Sequence, residues 1–192
     1  VMILYRNQNT LVSYKLNQQT TFQVKQLDRQ LRNSHLEESV PLSLIDTIFK
    51  SHLFARNITI GVSQDPELLK CAERFKRQLE DYLSYDTLTP SIVQIVTWND
   101  DSSNMKKFER AFVENDPDLW FVFSNALGFS RLLKRLYRNE RFDASRTYCI
   151  SNLCSHYLLE LLGNKYFEGI KGLTPSGKAW HVHQGEIQIL SS

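Results

Sequence analysis

The chain has 192 residues, 42% hydrophobic and 23% charged, with 23 Lys and Arg against 21 Asp and Glu. That length holds one large domain, or a domain with a modest appendage, and the apolar fraction suffices to bury a core, which excludes a disordered chain. Seven Gly and five Pro exclude collagen-like and linker-rich chains, no uncharged apolar run approaches the roughly 20 residues that cross a bilayer, and a net charge of +2 does not by itself imply a polyanionic partner.

The first 56 residues are patterned differently from the rest. Val12, Tyr14 and Leu16 alternate with Ser13 and Lys15, and after Asn17-Gln18-Gln19 the apolar Phe22 and Val24 alternate with Gln23 and Lys25. Period-two alternation on both sides of a polar break predicts a hairpin; the competing reading is one helix from Thr10 to Leu31. A helix with Leu44, Ile45, Ile48 and Phe49 inward is expected from Pro41 to Phe54. A start at Val1, with Met2 next, is what a processed or excised protein would show.

From residue 57 to the end, short apolar runs alternate with amphipathic stretches. Ile58 to Val62 reads as a buried parallel strand, and Asp65-Pro66-Glu67 opens a helix whose Leu68, Ala72, Phe75, Leu79 and Tyr82 share one face. The pattern repeats with strands at Ile92 to Thr97, Leu119 to Phe123 and Thr147 to Ile150, and a short one at Gly169 to Leu173. Helices are expected over Ser102 to Val113, Ala126 to Arg138 and Ser155 to Leu162. Strand starts recur roughly every 30 residues, the length of a βαβ unit, so the expected fold is an α/β three-layer sandwich with a mostly parallel sheet, plus an N-terminal hairpin and helix segment packed on it.

Ligands of open α/β sheets bind beyond the carboxyl ends of the strands. Those ends carry Ser63-Gln64, Trp98-Asn99, Ser124-Asn125 and Ser151-Asn152. Hydroxyls and amides both donate and accept, and Trp98 offers a flat apolar face, so these eight residues are the candidate ligand set. The same small polar residues are also ordinary helix caps. The edge is polar and neutral, which suits reversible binding more than bond breaking; among acidic groups, Asp100 is placed to serve an enzyme.

Other constellations lead away from catalysis. Gly172 to Lys178 fits G-x-x-x-x-G-K, but Ala179 stands where a magnesium-holding hydroxyl belongs and too little chain follows. His181 and His183 could pair on a strand, although a terminal hairpin turning at Gln184-Gly185 explains the segment without metal. Cys71, Cys149 and Cys154 are odd in number and match no zinc spacing, so no metal or cofactor is expected, and a reducing compartment is the simpler reading. Arg131, Lys134, Arg135 and Arg138 recur at helical spacing within 126–141 and form a candidate anion or partner surface; nucleic acid is not the expected partner.

Two stretches carry a family resemblance: Ile58-Thr59-Ile60-Gly61-Val62-Ser63 with its Asp65-Pro66 helix, and Asp116-Pro117-Asp118 running through Leu119 to Ser124. With Leu158 to Ile170, they make Ile58 to Leu173 resemble one lobe of the type I periplasmic-binding-protein-like domains. The resemblance implies a small molecule held in a cleft between two lobes by strand-end residues. This chain has room for about one lobe, and its first 56 residues do not look like the other. A second lobe from another chain, or a homodimer, would complete the cleft. The expected function is therefore a ligand- or partner-sensing domain. The alternative is a regulatory interaction module using the N-terminal segment or the basic helix.

Overall fold

The computed structural model describes residues 2–7, 10–15, 40–84, 91–124, 126–150, 164–173 and 178–189. Its main sheet grows from β3 (Asn57–Ser63), β4 (Ile92–Trp98), β5 (Leu119–Phe123), β6 (Thr147–Ile150) and β7 (Lys171–Leu173), all parallel. Two antiparallel strands, β8 (Ala179–His183) and β9 (Glu186–Ile189), extend it to the spatial order β4-β3-β5-β6-β7-β8-β9. The expected three-layer α/β architecture is what forms.

The strands alternate between two cores because successive side chains point to opposite faces. In β5, Leu119, Phe121 and Phe123 enter one cluster while Trp120 and Val122 enter the other, and all five are at most 4% exposed. Burying each such side chain contributes about 1.5–3 kcal/mol, which is why the central strand reads as an unbroken apolar run.

The first face is covered by α1 (Leu42–Ser51) and α2 (Pro66–Ser84). Asp65 caps α2, its Oδ1 accepting from the Glu67 and Leu68 amides at 3.0 and 3.3 Å. Leu68, Ala72, Phe75 and Leu79 point inward as expected, with Leu83 rather than Tyr82 as the last buried position. The Phe75 ring meets Phe121 edge-on at 4.8 Å. Ile45, Ile48 and Phe49 of α1 join this cluster, and the Tyr82 hydroxyl donates to Asp46 at 3.2 Å, tying the two helices together. The opposite face is covered by α3 (Lys106–Phe112) and α4 (Ala126–Leu136), which bring Phe112, Phe129, Leu132, Leu133 and Leu136 against the sheet.

Two elements depart from expectation. α3 begins at Lys106, not Ser102, because side chains there close turns in competition with the helix. Asn99 Oδ1 accepts from the Asp101 amide, Ser102 Oγ from Asn104, and Asn104 Oδ1 from Lys106. The N-terminal hairpin also lies one element earlier: β1 (Met2–Asn7) pairs antiparallel with β2 (Thr10–Lys15), with Asn7 opposite Thr10. A polar stretch from Arg6 to Asn9 interrupts the apolar pattern as well as Asn17 to Gln19 does, and it allows the tight connection hairpins favour. The Thr10–Lys15 strand rules out a helix there; the expected strand at Phe22 to Val24 lies outside the described residues, as do the helix at Ser155 to Leu162 and Cys154.

The terminal hairpin turns at Gln184 and Gly185, with φ of 52° and 75°. Positive φ at both positions matches the twist of the strands, and Glu168 fixes the turn by accepting from both amides at 3.0 and 3.1 Å.

Candidate functional site

Read in chain order, the five parallel strands lie 2-1-3-4-5 across the sheet, from β4 through β3, β5 and β6 to β7. The crossover through α2 leaves β3 on one face, whereas those through α3 and α4 run on the other. Direction therefore reverses between β3 and β5, and a doubly wound sheet opens its crevice at that point, beyond the carboxyl ends. The residues that end these two strands are Ser63 and Ser124.

Both serines are fully buried, and their Oγ atoms lie 2.6 Å apart. Ser63 Oγ also donates to Asp100 Oδ1 at 3.1 Å. A hydroxyl has one proton, so with Ser63 committed to the carboxylate it is Ser124 that donates to Ser63. The result is a directed chain from Ser124 through Ser63 to Asp100, spanning β5, β3 and the β4–α3 loop. Removing its middle member strips two groups of a partner at once. Ser63→Ala is therefore expected to cost about 1–3 kcal/mol, measured by urea denaturation.

The other candidates take up separate positions. Gln64 is exposed, and its amide donates to the Trp98 carbonyl at 2.7 Å, which leaves its side chain at the surface. Asn99 is exposed and shapes the loop through its bond with the Asp101 amide. Trp98 turns inward: 1% exposed, it packs against Phe112 and Phe129 at ring distances of 6.2 and 6.3 Å. An open stacking face is therefore not what Trp98 presents, because Gly61 leaves room above β3 that the indole fills. Asn125, Ser151 and Asn152 lie outside the described residues. Asp100, expected only under a catalytic reading, is half-buried and accepts from the Ser63 hydroxyl.

The basic helix face is largely used internally. Arg131 donates through Nη1 to the Asp100 carbonyl and through Nη2 to the Ser102 carbonyl at 2.9 Å, so it clamps the β4–α3 loop. Arg135 pairs with Glu109 at 2.8 Å, linking α4 to α3. Lys134 lies 5.8 Å from the centre of the Tyr166 ring, and its desolvation lowers its pKa. Arg138 stands at the surface. The stripe is thus a set of struts more than a continuous cationic surface.

At the opposite edge of the sheet, a concavity of about 320 Å³ is lined by Lys50, His52, Phe54, Asp118 and Arg146 among others. His52 Nε2 lies 3.0 Å from the Tyr148 hydroxyl. Burial pushes the Tyr148 phenol up to about 12. Burial, then the charges of Lys171 and Arg146, holds His52 below the usual histidine value of 6.5, against Asp143. The unfolded chain then binds the extra proton first, so folding stability falls as pH drops below 6.5. Urea midpoints between about pH 5 and 7 should decline in the wild type and flatten in His52→Gln.

The strand-order reversal defines the class: a doubly wound α/β domain. Its solved counterparts have the type I periplasmic-binding-protein-like fold, as the sequence resemblance implies. One is a branched-chain amino acid ABC transporter protein from Rhodospirillum rubrum, 13% identical with a TM-score of 0.51, matching 67% of this chain and 34% of its own. A protein of Rhodopseudomonas palustris strain CGA009 is 12% identical with a TM-score of 0.53, over 71% and 36%. An extracellular ligand-binding receptor from Verminephrobacter eiseniae is 8% identical with a TM-score of 0.50, over 68% and 34%. At these identities the likeness is one of fold, and the chain spans about a third of each structure it matches. No family model matches the sequence, and a search of curated proteins finds no significant match. Among the described residues, no helix is long and apolar enough to cross a membrane.

Proposed function

We propose that this chain is a non-catalytic sensing domain that binds a small polar molecule at the carboxyl ends of its strands. The observation that carries the reading is the hydrogen-bonded chain Ser124–Ser63–Asp100 at the reversal between β3 and β5. Gln64 and Asn99 flank it with exposed amide side chains suited to orienting a ligand. Asn125, Ser151 and Asn152 complete the proposed set from the neighbouring strand ends. The likeness to an extracellular ligand-binding receptor supports the same reading, and the partial coverage of such proteins supports a second lobe, from another chain or a second copy, closing over the edge.

Thermal melts against amino acids, sugars and nucleosides test it. A ligand at ten times its dissociation constant adds about 1.4 kcal/mol, a shift of a few degrees, and Gln64→Ala with Asn99→Ala should reduce that shift. No stabiliser across the three classes would sink the proposal.

A second reading, a regulatory interaction module working through the N-terminal segment, is favoured by Leu53 and Phe54, which are 65% and 90% exposed beside the Lys50–Arg146 concavity. Adjacent exposed apolar side chains of this size mark contact surfaces. Under it, Leu53→Asp with Phe54→Asp abolishes partner capture while the melting temperature stays within about 2 °C; retained capture excludes this surface.

A further inference from the structure

The cations on and beyond α4 are partly used up within the fold, and what remains gathers in one place. Glu109 is taken by Arg135 and the Asn139 side chain, Asp116 by Arg141, and Glu168 by the Gln184 and Gly185 amides. Lys134, Arg138 and Lys165 are left over: among the described residues, none of them forms an ion pair. Lys134 and Lys165 come from different elements, α4 and the short turn Asn164–Tyr166, yet they converge. Their Nζ atoms stand 5.8 and 4.9 Å from the centre of the same ring, that of Tyr166. Tyr137 meets this ring at 86°, with centroids 5.3 Å apart, and is itself 52% exposed. Arg138 follows it at the surface, and Glu140, exposed in the same stretch, leaves the balance positive. Two unneutralised ammonium groups at one ring repel each other, and the half-buried Lys134 has lost water as well. The electron-rich ring face offsets part of that cost, and a counter-charge from outside would relieve more of it.

We propose that Lys134, Tyr137, Arg138, Lys165 and Tyr166 form a docking surface for an acidic segment of a partner protein. Its carboxylates would meet the three cations, and an apolar side chain between them would rest on Tyr137. α4 runs back from the carboxyl end of β5, so this surface lies on its far half, away from Gln64 and Asn99, and stands apart from the strand-end reading. The chemistry selects the occupant. A free phosphate or carboxylate would neutralise the lysines but leave Tyr137 unused. A nucleic acid needs a longer run of cations along its backbone and open aromatic faces for its bases. Here Arg131, Arg135 and Arg141 are committed internally, and the Tyr166 ring is already in contact with ammonium groups and Tyr137. Carboxylates spaced along a peptide, with an apolar residue between them, complement three cations around an exposed tyrosine.

Fluorescence anisotropy with three labelled probes tests the surface: a dodecapeptide of alternating Glu and Leu, an all-Glu dodecapeptide, and an oligo(dT) of equal length. The wild type should bind the Glu–Leu peptide most tightly. Lys134→Met with Lys165→Met should weaken that binding about tenfold, and Lys134→Arg should keep it within about twofold. Tyr137→Ala should lower the Glu–Leu peptide to the level of the all-Glu peptide. Lys134→Met should melt no lower than wild type, because methionine fills similar space with no charge to desolvate. Should the double variant not fold, Lys165→Met at its exposed position reads the binding loss alone. Lys70→Met removes an exposed charge on α2 and should leave binding unchanged. Equal weakening by Lys70→Met and Lys165→Met, unchanged binding in the double variant, or binding of neither peptide overturns the proposal. Tighter binding of oligo(dT) than of either peptide assigns the surface to nucleic acid and overturns it too.

Discussion

Trp98→Ala should destabilise the fold by about 3–5 kcal/mol, the cost of emptying a large aromatic site in a core. The indole is 1% exposed, lies across β3 at Gly61 and touches both Phe112 of α3 and Phe129 of α4, so the cavity would open where three elements meet. Its Nε1 has no hydrogen-bond partner among the described residues, so the substitution leaves no carbonyl stranded there, and packing dominates the loss. Urea denaturation at constant m-value measures it. Trp98→Phe, which keeps an aromatic ring in the site, should recover most of the stability. A loss of ligand response in Trp98→Ala would therefore report unfolding, and the exposed Gln64 and Asn99 are the residues through which binding can be probed cleanly.

Gly61→Ala is expected to cost about 1–3 kcal/mol, the usual range for overfilling a packed core, although it adds a single methyl group. A Cβ at Gly61 would run into the Phe112 ring, with the Trp98 Cζ3 atom 2.9 Å away. Neither ring can retreat: Phe112 is fully buried, and its carbonyl accepts from Trp120 Nε1 at 2.8 Å. Phe112→Leu in the Gly61→Ala background should return part of the loss, because it removes the obstructing ring edge. A non-additive double-mutant cycle between the two positions would confirm that the strain is local to this contact.

These two positions show how far sequence patterning reaches. The βα alternation is legible because buried parallel strands are unbroken apolar runs: Ile58–Val62 and Leu119–Phe123 could be little else, and Asp65-Pro66 announces the start of α2. The 2-1-3-4-5 order is not legible, since a crossover may pass over either face without changing the pattern of its strands. Strand order is what singles out Ser63 and Ser124 from other strand-end residues. Trp98 misleads for a related reason. A tryptophan at a strand end offers a stacking surface only if nothing covers it, and the covering rings of Phe112 and Phe129 come from two helices further along the chain. The basic stripe on α4 is visible as spacing, but its acceptors, the carbonyls of Asp100 and Ser102 and the carboxylate of Glu109, lie 26 to 31 residues away and carry no local signal. At the N-terminus the alternation is real, yet two polar breaks compete for the turn, and the pairing of Asn7 with Thr10 takes the earlier one.

The measurement that bears most directly on a ligand site at the strand-order reversal is amide chemical-shift mapping of the ¹⁵N-labelled chain against the best stabiliser from the thermal screen. The account predicts a saturable ligand whose shifts centre on Gln64, Asn99 and Asp100. Shifts centred instead on His52, Phe54 and Arg146 at the opposite edge, or no saturable ligand among amino acids, sugars and nucleosides, would contradict it.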